Sequence, residues 1–151
     1  MKIFIPVIGS IIAIILSCEK EKNNSKENNG LEITSGSMCG WCAGADSLLI
    51  TEKKTYYEYF SPCDDNDYFR DTLTEKEDWN ELIGQLDLDK FQNIDINTCY
   101  VCVDGCDTWI NIKNGSVSHT IRFGYADTLV IKDIRPFVDK LDSIRIKFRN
   151  N

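Results

Sequence analysis

Seven cysteines carry most of the chemistry that this 151-residue chain could perform. Cys18 stands apart near the N-terminus. The other six form two groups, Cys39, Cys42 and Cys63, then Cys99, Cys102 and Cys106. Disulfides need an oxidising compartment and are favoured by an even count. Thiol–disulfide exchange needs a C-x-x-C pair with a stabilised thiolate, usually at a helix N-terminus. Cys39-Gly-Trp-Cys42 has that spacing, but Ala43-Gly44-Ala45 and a strand pattern follow it. A zinc ribbon wants two C-x-x-C pairs about 15–20 residues apart. Here 56 residues lie between Cys42 and Cys99. The sequence therefore favours structural disulfides for Cys39, Cys42, Cys63, Cys99, Cys102 and Cys106. Extending the 46–60 hairpin outward sets Cys63 opposite Gly44, which favours Cys42 over Cys39 as its partner. The three cysteines at 99–106 cannot all pair among themselves, so one reaches the first group or stays free. Each bridge is worth about 2–4 kcal/mol.

The remaining candidates are weaker. His119 is the only imidazole, which excludes a multi-histidine metal site. It lies on the apolar face of a strand pattern, where a buried, hydrogen-bonded histidine is the expected state. Residues 64–95 hold 11 acidic and three basic side chains. Within them Asp64, Asp65, Asn66, Asp67 and Asp71 offer oxygen ligands, but Phe69 stands where a calcium loop needs glycine. A solvated acidic loop and helix face is the expectation. Trp41, Tyr100 and Trp109 lie near the cysteines, as an aromatic surface or as packing. No glycine-rich phosphate loop, Ser-His-Asp order or matched carboxylate pair appears. No catalytic residue, metal ligand or cofactor is assigned. The net charge of −7 excludes the common basic kind of nucleic-acid binder.

These residues need a frame, and hydrophobic content of 42% is enough for one core. Leu31–Thr34 reads as a short strand and Ser35–Ala45 as a loop. Asp46–Thr51 and Thr55–Phe60 alternate as a hairpin about Lys53-Lys54, pairing Ile50 with Tyr57 and Leu48 with Tyr59. Thr72–Asn93 reads as helix. Thr74 and Glu77 suggest a capping box, Trp79, Leu82, Ile83 and Leu86 a buried stripe, and Asp87 a second cap. Trp109–Lys113 and Ser116–Phe123 flank Asn114-Gly115 as a second hairpin, pairing Ile112 with Val117 and Ile110 with His119. Thr128–Ile131 reads as a short extra strand. Phe137, Leu141, Ile144 and Phe148 share one helical face, with Pro136 in its first turn. The expected fold is α+β: two β-hairpins forming an antiparallel sheet, packed by two helices in a ββαββα-like order and braced by disulfides.

The N-terminus indicates the compartment. Met1-Lys2, the apolar run Ile3–Leu16 and then Ser17-Cys18 fit a signal peptide. Ile15-Leu16-Ser17-Cys18 resembles the lipobox of bacterial lipoproteins, in which the chain is cut before the cysteine and its thiol acquires a diacylglycerol. That resemblance implies a signal peptide over 1–17, a lipidated Cys18 with a flexible tether over 18–30, and one globular domain over 31–151. Glu19-Lys20-Glu21-Lys22 is similar to sorting signals of some surface-exposed lipoproteins, which implies the outer membrane, on its periplasmic or its surface face. Residues 79–148, with Cys99-x-x-Cys102-x-Asp104-Gly105, Trp109-Ile110-x-Ile112 and His119-x-Ile121, resemble a group of exported bacterial proteins. That group carries C-x-x-C-x-D-G before a W-I-x-I strand and brings no known activity. The expectation is a domain held at a membrane by its N-terminal lipid and acting by binding, with an envelope protein or a small ligand as partner. The rivals are an envelope thiol–disulfide oxidoreductase using Cys39 and Cys42, and a metal-binding lipoprotein.

Overall fold

A computed structural model describes residues 30–150. The expected signal peptide over 1–17, Cys18 and nearly all of the expected tether over 18–30 lie outside the described residues, as does Asn151. Six strands form one antiparallel sheet: β1 (Leu31–Cys39), β2 (Ala45–Ile50), β3 (Lys54–Phe60), β4 (Tyr68–Leu73), β5 (Cys106–Asn114) and β6 (Val117–Gly124). Their spatial order is β4-β3-β2-β1-β5-β6. The chain meanders outward from β1 to β4. It then passes through helices α1 (Lys76–Gln85) and α2 (Leu88–Gln92) and returns as the β5–β6 hairpin on the other side of β1. Helix α3 (Arg135–Asn150) closes the domain. The α+β class and the disulfide bracing match expectation. The strand count does not, because six strands replace the four of two hairpins.

Of the two added strands, β1 was expected only over Leu31–Thr34, and β4 was not expected. Ser35–Cys39 was expected as loop but continues β1, which lies between β2 and β5. Its small residues suit tight positions: a side chain on Gly36 would start 2.8 Å from the Trp109 ring. Thr72 and Leu73 belong to the edge strand β4 and not to a helix. The Thr74–Glu77 capping box is absent. Thr74 Oγ1 instead donates to the Thr51 carbonyl (2.8 Å), and Glu75 is the N-cap of α1 without a side-chain bond. Asp87 does cap α2, accepting from the Lys90 N–H at 3.0 Å. Thr128–Ile131 forms turns and not a strand.

Both hairpin registers are shifted by two residues from the sequence reading. Leu48 faces Tyr57, Ile50 faces Thr55, Ile110 faces Ile121 and Ile112 faces His119. A shift of two keeps every side chain on its face, so the core survives the change. In the second hairpin Gly115 and Ser116 are the central turn residues, flanked by the Asn114–Val117 pair. Only Gly115 has positive φ (61°), the pattern of a type II′ turn and not type I′.

The inner sheet face carries Ile33, Leu48, Ile50, Tyr57, Ile110, Ile112 and Ile121, all buried. Trp79, Leu82, Phe91, Phe137, Val138, Leu141 and Ile144 pack against it from the helices. At one end Asp46, with no exposed side-chain surface, ties β2 to α3. Its carboxylate accepts from the Ser37 N–H (3.0 Å), the Tyr57 hydroxyl (3.2 Å), Arg145 (3.3 Å) and Arg149. Burial pushes the Tyr57 phenol up to about 12, against the pull of Arg149 and with help from the Asp46 charge.

Candidate functional site

The helices cover one face of the sheet, and the strand alternation sets a second group of residues on the other. Register places them in rows. Asp107, Met38, Ala45 and Phe60 form one, and Arg122, Trp109, Gly36, Ser47, Glu58 and Phe69 form the next. A third row runs Thr120, Asn111, Thr34, Leu49, Tyr56 and Asp71. Met38 is 47% exposed, Phe60 51% and Phe69 61%, large values for apolar side chains. Tyr56 and Phe69 stack with centroids 6.2 Å apart.

Two shallow hollows of about 280 and 250 Å³ meet on this face and share Met38 and Trp109. The first also draws on Ala45, Glu58 and Phe60, the second on Asn97, Thr120 and Arg122. Trp109 sits at their junction because Gly36 beneath it has no side chain. A third cavity of about 250 Å³ lies between Thr55, Thr74, Asp78 and Lys147. Its polar groups bond one another. Thr55 and Thr74 hydroxyls are 2.9 Å apart, and Lys147 Nζ is 2.8 Å from Asp78 Oδ2. Burial alone would raise the Asp78 carboxyl, but bonds from Lys147 and Lys140 hold it below the ordinary carboxylate value.

The six cysteines are all paired. Cys42 bonds Cys63, as favoured from the hairpin. Cys39 bonds Cys106, its register partner across β1 and β5, and Cys99 bonds Cys102. The exchange chemistry considered for Cys39-Gly-Trp-Cys42 needs those sulfurs as one pair, whereas each belongs to a different bridge. Sequence reasoning could not see the Cys39–Cys106 link, because it follows from a strand pairing 67 residues apart in the chain.

The second cysteine group is organised by Asp107. Its side chain is 1% exposed and accepts the N–H groups of Tyr100 (2.8 Å) and Val101 (3.1 Å) and Arg122 Nη2 (2.6 Å). Burial would raise the Asp107 carboxyl, but these donors hold it below the ordinary value. Tyr100 packs against Gly124, where any side chain would overlap its ring. Sequence reading did not single out Asp107 or Arg122. No sequence signal joined Arg122 to the C-x-x-C segment, since it lies 20 residues beyond Cys102 in the chain.

His119 is half-buried, bonds the Ile94 carbonyl through Nε2 at 2.9 Å and meets Phe91 edge-on. Trp41 is 81% exposed at the tip of the β1–β2 connection, and its indole N–H donates to Asp104 at 2.8 Å. Asp67 accepts the Ser61 N–H at 2.7 Å, closing the β3–β4 turn. Part of the acidic segment meets α3, since Asp78 and Glu81 both pair with Lys140, the first buried and the second exposed. Among the described residues no three metal-ligating side chains cluster, and no helix is long and apolar enough to cross a membrane. Comparison with known families and with curated proteins returns no match.

Proposed function

We propose that this chain is a lipid-anchored protein of the bacterial envelope that works by binding, with the uncovered sheet face as its binding surface. The carrying observation is that Met38, Phe60, Trp109 and Phe69 share a face that none of the described helices covers. Aromatic and methionine side chains are the types enriched at interface cores. The rim supplies Glu58, Arg122 and Asn97 for polar contacts. The shallow hollows suit an envelope protein laid on the sheet better than an enclosed small ligand, which is normally buried deeply.

The anchor reading rests on the similarity of Ile15-Leu16-Ser17-Cys18 to a lipobox. Acyl chains hold a protein at a bilayer at roughly 0.8 kcal/mol per buried methylene. The outer membrane is the proposed location, from the Glu19–Lys22 run.

Two measurements test the parts separately. Labelled fatty acid supplied to cells should enter the wild-type protein and not Cys18→Ser, which should leave the membrane fraction. Labelling of both, or of neither, sinks the anchor. For the face, a photo-crosslinking residue at position 60 should give a discrete adduct in intact envelopes that Met38→Asp abolishes. Absence of an adduct, or one indifferent to Met38→Asp, sinks the binding surface.

A further inference from the structure

We propose that Cys99 and Cys102 form a redox-active disulfide that exchanges with the dithiols of exported proteins, beside the open face and distinct from the two bracing disulfides. Four observations carry this; the first three are independent of the binding role, and the fourth rests on the open face as the binding surface.

The first is position. Both cysteines are exposed, and the loop they close spans a sequence separation of only three residues. Cys39–Cys106 closes a separation of 67 and joins two neighbouring strands. Cross-links stabilise a fold chiefly by limiting the unfolded chain, and the effect grows with loop length. With separations of 67 and 21 for the other two, the short bridge braces least of the three, and the fold can tolerate both of its redox states.

The second is that the turn stands without the bridge. Asp107 binds the Tyr100 and Val101 N–H groups, the Gly105 N–H donates to the Tyr100 carbonyl at 2.8 Å, and Cys106 is fixed to Cys39. Tyr100 is wedged against Gly124, and its hydroxyl reaches Asp127. When the Cys99–Cys102 bond opens, the two sulfurs stay within reach of each other.

The third is a cation. Arg122 Nη2 lies 3.5 Å from Cys99 Sγ and is held there by Asp107. A guanidinium at that distance favours the thiolate and makes Cys99 the better leaving group. The fourth is access. Arg122 also lines the hollow shared with Met38 and Trp109, so an incoming chain on the open face arrives next to the disulfide.

The exchange balances. A thiolate of the incoming dithiol attacks Cys102 Sγ. The Cys99–Cys102 bond breaks, and its electron pair leaves on Cys99 Sγ beside Arg122. The second thiolate of the incoming molecule then attacks its own sulfur bonded to Cys102. That closes a disulfide in the incoming molecule and releases the Cys102 thiolate. Two electrons pass to the protein, and the two protons lost by the dithiol are matched by two gained at Cys99 and Cys102.

The test uses the full oxidised protein in a graded series of dithiothreitol. Exposed thiols are alkylated and located by peptide mass spectrometry. Cys99 and Cys102 should open at a reductant concentration at least about tenfold below that for Cys39, Cys42, Cys63 and Cys106, with the circular dichroism unchanged. Opening of all six together, or of Cys99 and Cys102 last, overturns the proposal. A second variant isolates the cation. In Cys102→Ser the remaining Cys99 thiol should react with iodoacetamide at pH 7 about threefold faster than in Cys102→Ser with Arg122→Gln. Its rate–pH profile should lie lower, and Arg122→Lys should restore most of the difference. A profile indifferent to Arg122→Gln overturns the assignment of Arg122.

Discussion

The two faces of the sheet are built from the same six strands and do opposite things. On the inner face, alternate residues are aliphatic or aromatic and meet three helices. Even its charges are locked, as Asp46 between β2 and α3 illustrates with five groups donating to it. On the outer face the same alternation leaves Met38 nearly half exposed, and Phe60 and Phe69 more than half, among Ser47, Glu58 and Asp71. Antiparallel sheets commonly bury one face and solvate the other, with polar residues outward. Large apolar side chains on the solvated face give nothing to the core. The contrast separates residues that hold the fold from residues free to serve a partner.

The largest expected break falls on the inner side. Phe137 is fully buried and meets Phe91 edge-on at 6.2 Å. Phe137→Ala should cost about 3–5 kcal/mol in urea unfolding, through lost transfer energy and the cavity left behind. A cost under about 1 kcal/mol would mean that α3 does not pack on this face as described.

The next effect is alkaline. Tyr57 titrates at about 12 when folded, because burial disfavours its phenolate. A free phenol titrates near 10. The folded value is the higher one, so the unfolded chain releases its proton first. Stability is therefore full below about pH 10 and falls as pH rises toward 12, by about 2–3 kcal/mol in total. Urea midpoints from pH 8 to 12 should show the fall, and Tyr57→Phe should remove most of it. An equal fall in Tyr57→Phe would assign it elsewhere.

How far these roles were legible depended on how locally each was determined. The inner set of Leu48, Ile50, Tyr57, Ile110, Ile112 and Ile121 could be read from alternation alone, and it survived two register errors because both were shifts of two. The strand at Tyr68–Leu73 was hidden by its charges. Asp71 suits a solvent-facing sheet edge, where charge discourages pairing with other chains, while Arg70 turns to the inner face and donates to the Phe148 carbonyl. The latter half of β1 was hidden because Ser35-Gly36-Ser37 is small for reasons set by other segments. Gly36 accommodates Trp109, and Ser37 donates to Asp46. Of the site, Trp109 and the cysteines were visible as residue types. The meeting of Met38 with Trp109 came from the pairing of β1 with β5, and that of Arg122 with Cys99 from the bridge of Asn97 to Arg122, neither of which one sequence specifies.

A smaller effect lies at the boundary between the faces and in acid. Asp78 is buried among Lys140 and Lys147, and their bonds lower its carboxyl despite the cost of burial. With the folded value depressed, its contribution is present above the ordinary carboxylate value of about 4 and is lost as pH falls through and below it. Asp78→Asn should cost about 1.5–2 kcal/mol at pH 7 and much less at pH 2, read from urea midpoints. A cost independent of pH would mean that shape, and not charge, is what Asp78 supplies.

The smallest effect is the one on which the comparison turns. Phe69→Ser replaces a side chain that is 61% exposed on an edge strand, and Met38→Ser one that is 47% exposed. Neither change opens an enclosed cavity, so each should alter stability by no more than about 0.5 kcal/mol. Unchanged urea midpoints for both, together with loss of the crosslinked adduct at position 60, would show a face kept apolar for contact with another molecule. A loss near that of Phe137→Ala would show that this face is itself packed, against the tether or a second copy of the chain. The outer row would then belong to the folded core, and no free surface would remain to be explained.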